Sequence, residues 1–403
     1  MKKVLLTGTA SAHNKGDATM QLVVSTELEA ALGDDIRVAI ASPSPSFDVA
    51  AYPDRLVVAS VRRSRLFPVS LAAAGLWGVL NRAFGIRADA LLFTDELRWT
   101  ESADLVVDLS GDMLTEDYGF LVGFSHFIPL IMARWLRTPY VICAQSIGPF
   151  SRLKPIAKWI LRRAADITIR EDVTRERVAG LGLRMETTAD VSFLLQPDTA
   201  GAAEVLEAAG VPTDKRLIGL SVSPILKQRY ESAHPGASFA HAIAESVNTA
   251  LHGEDVHIVL IPHVTGPATR HDDRIVAREV AAMLTLDHTN LEGEIAPPVL
   301  KGVIARCHVV LGARMHANMG ALSQGVPVVA LSYSHKTQGI MDSFGQGDLV
   351  VDGRRPLREE LSADIVRIMD ERDVRAAAIR SHHDEVVAES RRNITRILDR
   401  LDA

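Results

Sequence analysis

The stretch VVLGARMHANMGALSQGVPVVALSYSHK, residues 309–336, decides the fold. It opens with an apolar run that stops at Gly312, and Arg314 and His316 then lead into a short helical pattern. A glycine closes that helix, and a proline starts a second apolar run with a polar exit. Spacing of this kind predicts a strand, a loop, a helix and a second strand.

Three cationic or imidazole side chains flank this crossover, namely Arg314, His316 and Lys336. In a parallel sheet, ligands bind at the loops that leave the carboxyl ends of strands, and a helix start there offers free N–H groups. The stretch therefore predicts a site for an anion with several oxygens, such as a phosphate or a carboxylate. The alternative is a surface arginine and a packed histidine. We favour the site because all three residues flank a segment that is otherwise small or apolar.

The chain has 403 residues, a net charge of −6, 47% hydrophobic residues and 23% charged residues. This length predicts two domains, and the composition is that of an α/β protein. No long basic block indicates a nucleic-acid partner. The short cluster at residues 62–65, Arg-Arg-Ser-Arg, is interpreted as a loop or a solvated face.

The two cysteines, Cys143 and Cys307, lie in apolar, strand-like runs, which predicts buried free thiols. Neither Cys-x-x-Cys nor His-Glu-x-x-His spacing occurs, so we expect no metal site. No other cofactor is expected.

No segment reaches the roughly 20 apolar residues of a transmembrane helix. The N-terminal run is too short for a signal peptide and predicts a first strand. We expect a cytoplasmic enzyme. Residues 66–80 leave open a peripheral contact with a membrane, although packing in the core is favoured. The sequence also leaves open a homo-oligomer.

Strand, loop and helix patterns alternate along the chain, which predicts parallel sheets covered by helices. We expect an N-terminal domain at residues 1–196, a linker at 197–215 and a C-terminal domain at 216–373. A terminal helix at 374–403 is expected to pack back across both domains.

The loop after the first strand contains Asn14, Lys15, Gly16 and Asp17. Asp17 precedes a helix predicted at residues 18–32, so it could cap that helix or take the proton of a substrate hydroxyl. These two roles stay open together.

Four further polar residues follow predicted strands: Asp112, Gln145, Arg170 and His263. Each is placed where the carboxyl end of a parallel strand would present it to a ligand.

In their order along the chain, these motifs resemble those of the polysaccharide pyruvyl transferases. The motifs are Asn14-x-Gly16-Asp17, Ser110-Gly111-Asp112, Gln145-Ser146-Ile147-Gly148-Pro149, Arg170-Glu171-Asp172, Asp190, Pro262-His263, Gly312-x-Arg314-Met315-His316, Gly325-Val326-Pro327 and Ser332-Tyr333-x-x-Lys336. Family members often carry a Gly-Gly pair in the middle loop, where this chain has Ser-Gly-Asp.

The resemblance implies two Rossmann-like domains facing a cleft, as in GT-B glycosyltransferases. It also implies transfer of the pyruvyl group of phosphoenolpyruvate onto two hydroxyls of a glycan or lipid-linked sugar, with release of phosphate. The N-terminal domain would face the acceptor and the C-terminal domain the donor.

In that chemistry, Arg170 and Arg314 could each grip an oxyanion with two N–H groups. His316 is the candidate acid that protonates the methylene carbon, and Asp17 or Asp112 could accept the hydroxyl proton. The remaining candidates for binding substrate are Lys336, His263, Asn14, Lys15, Gly16 and Gln145.

Two alternatives remain. Residues 320–329 resemble the donor-binding helix of glycosyltransferases that use nucleotide sugars, but Gly320 stands where many of them have a ribose-binding glutamate. The second alternative is a non-catalytic partner or regulator that kept the fold.

Overall fold

A computed structural model describes residues 1–332 and 335–402. It contains two parallel sheets, each covered by helices, so the predicted α/β class is confirmed. The chain forms two compact units. The first unit comprises residues 1–12, 17–194 and 388–403, and the second comprises residues 13–16 and 195–387.

The first unit contains a seven-stranded sheet in the order β3-β2-β1-β4-β5-β6-β7. Its strands are β1 Lys2–Thr7, β2 Ile36–Ser42, β3 Leu56–Ala59, β4 Leu105–Asp108, β5 Tyr140–Gln145, β6 Asp166–Ile169 and β7 Glu186–Thr187. Its helices are α1 Lys15–Leu32, α2 Pro45–Ala51, α3 Phe67–Phe84, α4 Asp95–Ser102, α5 Phe120–Leu136, α6 Lys154–Leu161 and α7 Val173–Arg177. The first two residues of α1 belong to the second unit.

The second unit contains a six-stranded sheet in the order β10-β9-β8-β11-β12-β13. Its strands are β8 Arg216–Ser221, β9 Val256–Leu260, β10 His288–Asn290, β11 Val309–Gly312, β12 Val328–Ser332 and β13 Val350–Asp352. Its helices are α8 Thr199–Ala208, α9 Pro224–Ala233, α10 Phe239–Ala250, α11 Asp273–Ala281, α12 Pro297–Ala305, α13 Met315–Leu322, α14 His335–Asp342 and α15 Arg358–Asp370. The terminal helix, α16 Arg372–Asp402, contributes its first part to the second unit and its last part to the first.

The topology defines one edge of each sheet as the place for a ligand. In the first sheet β1 lies between β2 and β4, and in the second β8 lies between β9 and β11. The chain therefore reverses its direction of strand addition beside β1 and beside β8. Crevices at such reversals, beyond the carboxyl ends of the strands, are where open α/β sheets bind ligands.

Within the stretch of residues 309–336, the predicted order of strand, loop, helix and strand is observed. Strands β11 and β12 pair in parallel, and every residue of both is buried. Strands of a parallel sheet are buried in this way because helices cover both faces of the sheet. At the end of β11, a Cβ on Gly312 would lie 1.8 Å from Asn318 Oδ1, so only glycine fits against α13. Tyr333, part of the polar exit, lies outside the described residues.

Two local predictions are wrong. The first helix begins at Lys15, three residues earlier than predicted, and Asn14 Oδ1 accepts the N–H of Gly16 at 3.1 Å. Asn14 therefore caps α1, and Asp17 does not. Arg62 lies in a turn, as the loop alternative expected, but it is 4% exposed and so is not part of a solvated face.

The prediction for the two cysteines is confirmed. Cys143 and Cys307 are buried free thiols. Within residues 1–332 and 335–402, no helix has the combined length and hydropathy needed to cross a bilayer.

Candidate functional site

The loop between β11 and α13 presents Arg314 at the carboxyl edge of the second sheet. Asp273, in the first turn of α11, accepts from one edge of this guanidinium with both oxygens: Nε donates to Oδ2 at 3.2 Å and Nη2 donates to Oδ1 at 2.5 Å. The Asp273 side chain is fully buried, and that of Arg314 is 17% exposed. A bidentate ion pair fixes the plane of the arginine, so Asp273 determines how Arg314 faces its surroundings.

Asp273 also organises the loop that follows β9. It accepts the backbone N–H groups of His263 at 3.0 Å and Val264 at 2.9 Å. One carboxylate thus joins two strand ends that flank β8. The acids of this helix start were visible in the sequence, but their pairing with an arginine 41 residues later was not.

His263 is a buried, neutral imidazole at this edge. Burial lowers its pKa to about 3, and the positive charges of His316, Arg314 and Lys15 act in the same direction. Ser221 at the end of β8 contacts His263 Nδ1 at 3.4 Å. A neutral imidazole can donate one hydrogen bond and accept another, but it cannot neutralise a phosphate.

Residues 13–16 join the second unit by backbone pairing. Asn14 forms an antiparallel bridge with Val264, and the N–H of Lys15 donates to the carbonyl of His263 at 2.8 Å. The N–H of Thr265 donates to the carbonyl of His13 at 3.0 Å. These bonds place the predicted residues Asn14, Lys15 and Gly16 beside His263.

Lys15 is held by an acid that the sequence did not reveal. Its Nζ lies 2.7 Å from Glu294 Oε2, and Thr265 Oγ1 donates to the same oxygen at 3.0 Å. Burial opposes the charge of Glu294, but these hydrogen bonds hold its pKa below the ordinary value. The lysine and the glutamate are 279 positions apart, so no local pattern could indicate the pair.

Gly16 lies against the imidazole of His316. A Cβ at Gly16 would be 2.1 Å from His316 Nδ1 and 2.4 Å from Cγ, far inside contact distance. The absence of a side chain at position 16 therefore lets the backbone of residues 13–16 lie directly against this histidine. Lys336 lies on α14, which follows β12, and is 3% exposed.

Asp17 and Asp112, the predicted acids, belong to the first unit. Asp17 Oδ2 accepts the N–H of Ala10 at 2.6 Å. Burial raises the pKa of Asp17 to about 6, a rise that Arg62 opposes and that the charge of Asp112 supports. Tyr118 Oη donates to Asp112 Oδ2 at 2.6 Å. A carboxylate with a pKa near neutrality suits a proton acceptor.

Arg170 is also in the first unit, and it is engaged by the chain itself. Its Nη1 lies 2.6 Å from Asp190 Oδ2, its Nε donates to Ser146 Oγ at 3.0 Å, and both charged side chains are fully buried. Gln145 is likewise fully buried, and its Nε2 donates to the carbonyl of Asp108 at 2.8 Å. These contacts give Arg170 and Gln145 a part in holding the strand ends of the first sheet.

Sequence reasoning missed a further buried cation in the first unit. Arg62 donates to the carbonyls of Gly8 and Thr9, both at 2.6 Å, and contacts His126 Nδ1 at 2.7 Å. The guanidinium thus braces the loop that leaves β1. No local signal in the sequence indicated this burial, because Arg62 stands in a short basic cluster.

The second unit therefore gathers Arg314, His316, His263 and Lys15 around one loop edge. Two of the cations, Arg314 and Lys15, are oriented by acids of the same unit. Among the described residues, no group of three or more His, Cys, Asp or Glu side chains could hold a metal ion. The arrangement supplies fixed cations and hydrogen-bond donors, which suits a small anion with several oxygens.

A comparison with protein families is decisive for the class. The polysaccharide pyruvyl transferase family matches residues 14–335, and the chain belongs to this family. Its match begins with the asparagine that caps α1 and includes Arg314 and His316.

A curated relative is the amylovoran biosynthesis protein AmsJ of Erwinia amylovora. It is 23% identical over 391 residues, which cover 91% of this chain and 92% of AmsJ. This similarity over nearly the full length of both chains agrees with the family assignment.

Solved structures share the fold. A glycosyltransferase from Rickettsia africae aligns with a TM-score of 0.58 at 11% identity, covering 99% of this chain and 98% of that one. The MnaA protein of S. aureus, solved with UDP, gives a TM-score of 0.60 at 10% identity over 98% and 96% of the two chains. Sucrose-phosphate synthase from Thermosynechococcus elongatus gives 0.57 at 12% identity over 100% and 98%. At these identities the likeness concerns the GT-B-type fold alone.

Proposed function

We propose that this protein transfers the pyruvyl group of phosphoenolpyruvate onto two hydroxyls of a glycan or a lipid-linked sugar in the cytoplasm. The observation that carries the proposal is the pairing of a fixed Arg314 with a neighbouring His316 at the edge of β11. Phosphoenolpyruvate has a carboxylate and a phosphate beside one carbon–carbon double bond. A guanidinium held in one plane suits an oxyanion of the donor, and an imidazole in the first turn of α13 suits proton transfer to its double bond.

In the proposed reaction, Arg314 binds an oxyanion of the donor through paired N–H groups. Lys15 and Lys336 add positive charge, and His263 offers a neutral hydrogen bond. Gly16 places backbone directly against His316, and Asn14 caps the helix that begins there. These groups would compensate the charge of the phosphate as it leaves.

The proton path then follows from the chemistry. A sugar hydroxyl attacks the central carbon of the donor while His316 gives a proton to the methylene carbon, which becomes a methyl group. A second hydroxyl displaces phosphate, and the two new C–O bonds complete the ketal. Asp17 or Asp112 accepts the two hydroxyl protons in turn; one of them replaces the proton that His316 gave, and the other leaves with the phosphate. The raised pKa of Asp17 makes it the stronger candidate.

We assign Arg170 and Gln145 a supporting part. Arg170 is paired with Asp190, and its charge lies close enough to Asp112 to affect both groups. We therefore infer that Arg170 orders the strand ends of the first sheet through Asp190 and Ser146 and adds positive charge near Asp112, a different role from the oxyanion grip that the family motif suggests.

The test compares Arg314→Ala and His316→Ala with a control, Arg216→Ala. Arg216 lies at the amino end of β8, the opposite edge of the same sheet, and pairs with Glu254 on the surface. Binding of phosphoenolpyruvate is measured by calorimetry. Arg314→Ala should weaken it by roughly 10- to 100-fold, the usual range for losing a charged hydrogen-bonding group. His316→Ala should change binding only slightly, and Arg216→Ala not at all.

Turnover is read in cells that lack the gene and carry each variant, by mass spectrometry of their glycans for the pyruvyl group. His316→Ala should lose roughly 10²- to 10⁴-fold in rate, as expected for a missing acid. Normal pyruvylation by both variants would refute the site. Binding of a nucleotide sugar, with none of phosphoenolpyruvate, would favour a glycosyltransferase instead. Binding of neither ligand would favour a non-catalytic role.

A further inference from the structure

Helix α3 of the first unit exposes an unusually apolar face. Val69 is 58% exposed, Leu76 50%, Val79 59% and Phe84 70%. We refer to these four residues as the apolar face. Arg82 is the single charged residue in the 18 residues of α3. A surface helix of a globular protein normally covers its outer side with charged residues.

The opposite side of α3 already serves the core. Ala74 and Trp77 are buried, and Gly75 and Gly78 lie against Trp135 of α5. The prediction that residues 66–80 pack in the core therefore holds for one side of the helix only. The apolar face is additional to the core, and contiguous exposed apolar surface of this kind marks an interaction site.

A cavity of about 400 Å³ lies at the C-terminal end of the same helix, lined by Arg82, Arg134, Trp135, Trp159 and Arg163. The guanidinium of Arg134 stacks on the Trp159 ring at 4.4 Å. Trp159 is itself 39% exposed. Three arginines and two indoles around one opening can bind a phosphate beside apolar chains, because indoles favour the boundary between water and lipid.

Basic residues dominate α3, α5 and α6 and the loops beside them. Residues 55–88 and 118–165 contain thirteen Lys or Arg residues and no Asp or Glu, although the whole chain has a net charge of −6. These segments include α3, α5 and α6, and α5 packs against both of the others. These three helices are therefore basic, although the whole chain is acidic and α4, which also packs against α5, carries Asp95, Glu96 and Glu101.

We propose that the apolar face of α3 and the arginine–tryptophan cavity beside it dock this protein onto an anionic lipid bilayer. The helix would lie in the plane of the interface with its apolar side chains in the acyl boundary. The arginines would bind lipid phosphates, and their attraction to an anionic leaflet adds to the apolar contribution. A second copy of this chain fits less well, because two such surfaces would bring like charges together.

The experiment is vesicle flotation with the full chain at low and physiological ionic strength. Vesicles of phosphatidylcholine alone are compared with vesicles in which about a third of the lipid is phosphatidylglycerol. We expect binding to the anionic vesicles, weaker binding in salt and little binding to the neutral ones. Emission of Trp159 should shift to the blue on binding, and Trp159→Phe should remove most of that shift.

Two double variants test the two parts of the surface. Leu76→Ser with Val79→Ser, and Arg82→Glu with Arg163→Glu, should each reduce binding by roughly tenfold or more. The matched controls are Val374→Ser, at a position 76% exposed on α16, and Arg216→Glu at the far edge of the second sheet. All positions are on the surface, so folding should be retained, and circular dichroism verifies it.

Three results would overturn the proposal. In the first, the protein floats with neither kind of vesicle. In the second, the control variants lose binding as fully as the surface variants. In the third, sedimentation shows a dimer, and the double variant Leu76→Ser with Val79→Ser dissociates it. The apolar face would then be an interface between copies of this chain. None of these outcomes bears on phosphoenolpyruvate binding, so the two proposals stand or fall separately.

Discussion

Replacing Gly16 by alanine should separate catalysis from stability. The new Cβ would lie 2.1 Å from His316 Nδ1, 2.4 Å from Cγ and 2.6 Å from Cε1. Ordinary contact begins near 3.4 Å, so the imidazole must move by about 1 Å or more. Displacing a reacting group by about 1 Å can lower a rate by roughly 10²-fold.

The stability of the fold should change little. A histidine forced about 30° from its rotamer costs roughly 0.5–1.5 kcal/mol. Alanine in place of glycine in the first turn of α1 gains up to about 1 kcal/mol of helix propensity. These terms nearly cancel, and the melting temperature should stay within a few degrees of the parent value.

Turnover is measured by release of phosphate from phosphoenolpyruvate with a competent acceptor, and binding by calorimetry. The control is Gly180→Ala in the first unit, where the nearest atom to a new Cβ is Lys154 Nζ at 3.6 Å. In a double-mutant cycle, Gly16→Ala should have almost no further effect once His316 is alanine. Wild-type turnover in Gly16→Ala, or a full additional loss in the double variant, would show that His316 is not the group affected.

Three more predictions follow from buried charges. Asp273→Asn should loosen Arg314 and weaken phosphoenolpyruvate binding by roughly tenfold or more. It should also lower the melting temperature, since breaking a largely buried ion pair costs about 3–5 kcal/mol. Unchanged binding would contradict the role of Asp273 in orienting Arg314. Arg170→Leu should lower the free energy of unfolding in urea by a similar amount, because it leaves Asp190 charged and buried. The double variant Arg170→Leu with Asp190→Leu should lower it by much less. Equal losses of stability in the two variants would refute the pairing of Arg170 with Asp190. Burial raises the pKa of Glu96 from 4.5 to about 7, so the folded state binds a proton that the unfolded chain releases, and stability falls as the pH rises from 4.5 to about 7. Glu96→Gln should remove up to about 3 kcal/mol of that fall, measured as urea midpoints across this pH range.

The sequence was sufficient for features that depend on neighbours along the chain. The apolar runs around Gly312 and Pro327 are fully buried strands, and their spacing alone placed Arg314 and His316 at a strand end. By contrast, α9 carries mainly polar and charged residues after its first turn, and no apolar periodicity marked it.

Features that depend on pairing across the chain were beyond local patterns. Arg170 and Asp190 were both visible as motif residues. The sequence alone could not show whether each side chain binds a ligand or whether the two bind one another. Asp273 was recognised only as an acid at a helix start. The bracing of the β1 loop by Arg62 required knowing that its side chain turns inward, which a short basic cluster does not indicate.

The grouping of residues 13–16 with the second unit has a consequence for the history of the chain. A gene fragment that encoded residues 195–387 alone would lack the glycine beside His316 and the lysine held by Glu294. The two halves therefore cannot be exchanged between relatives as independent cassettes without also matching four residues near the start of the protein. Recombination across this family should preserve that distant tetrapeptide together with the loop after β9.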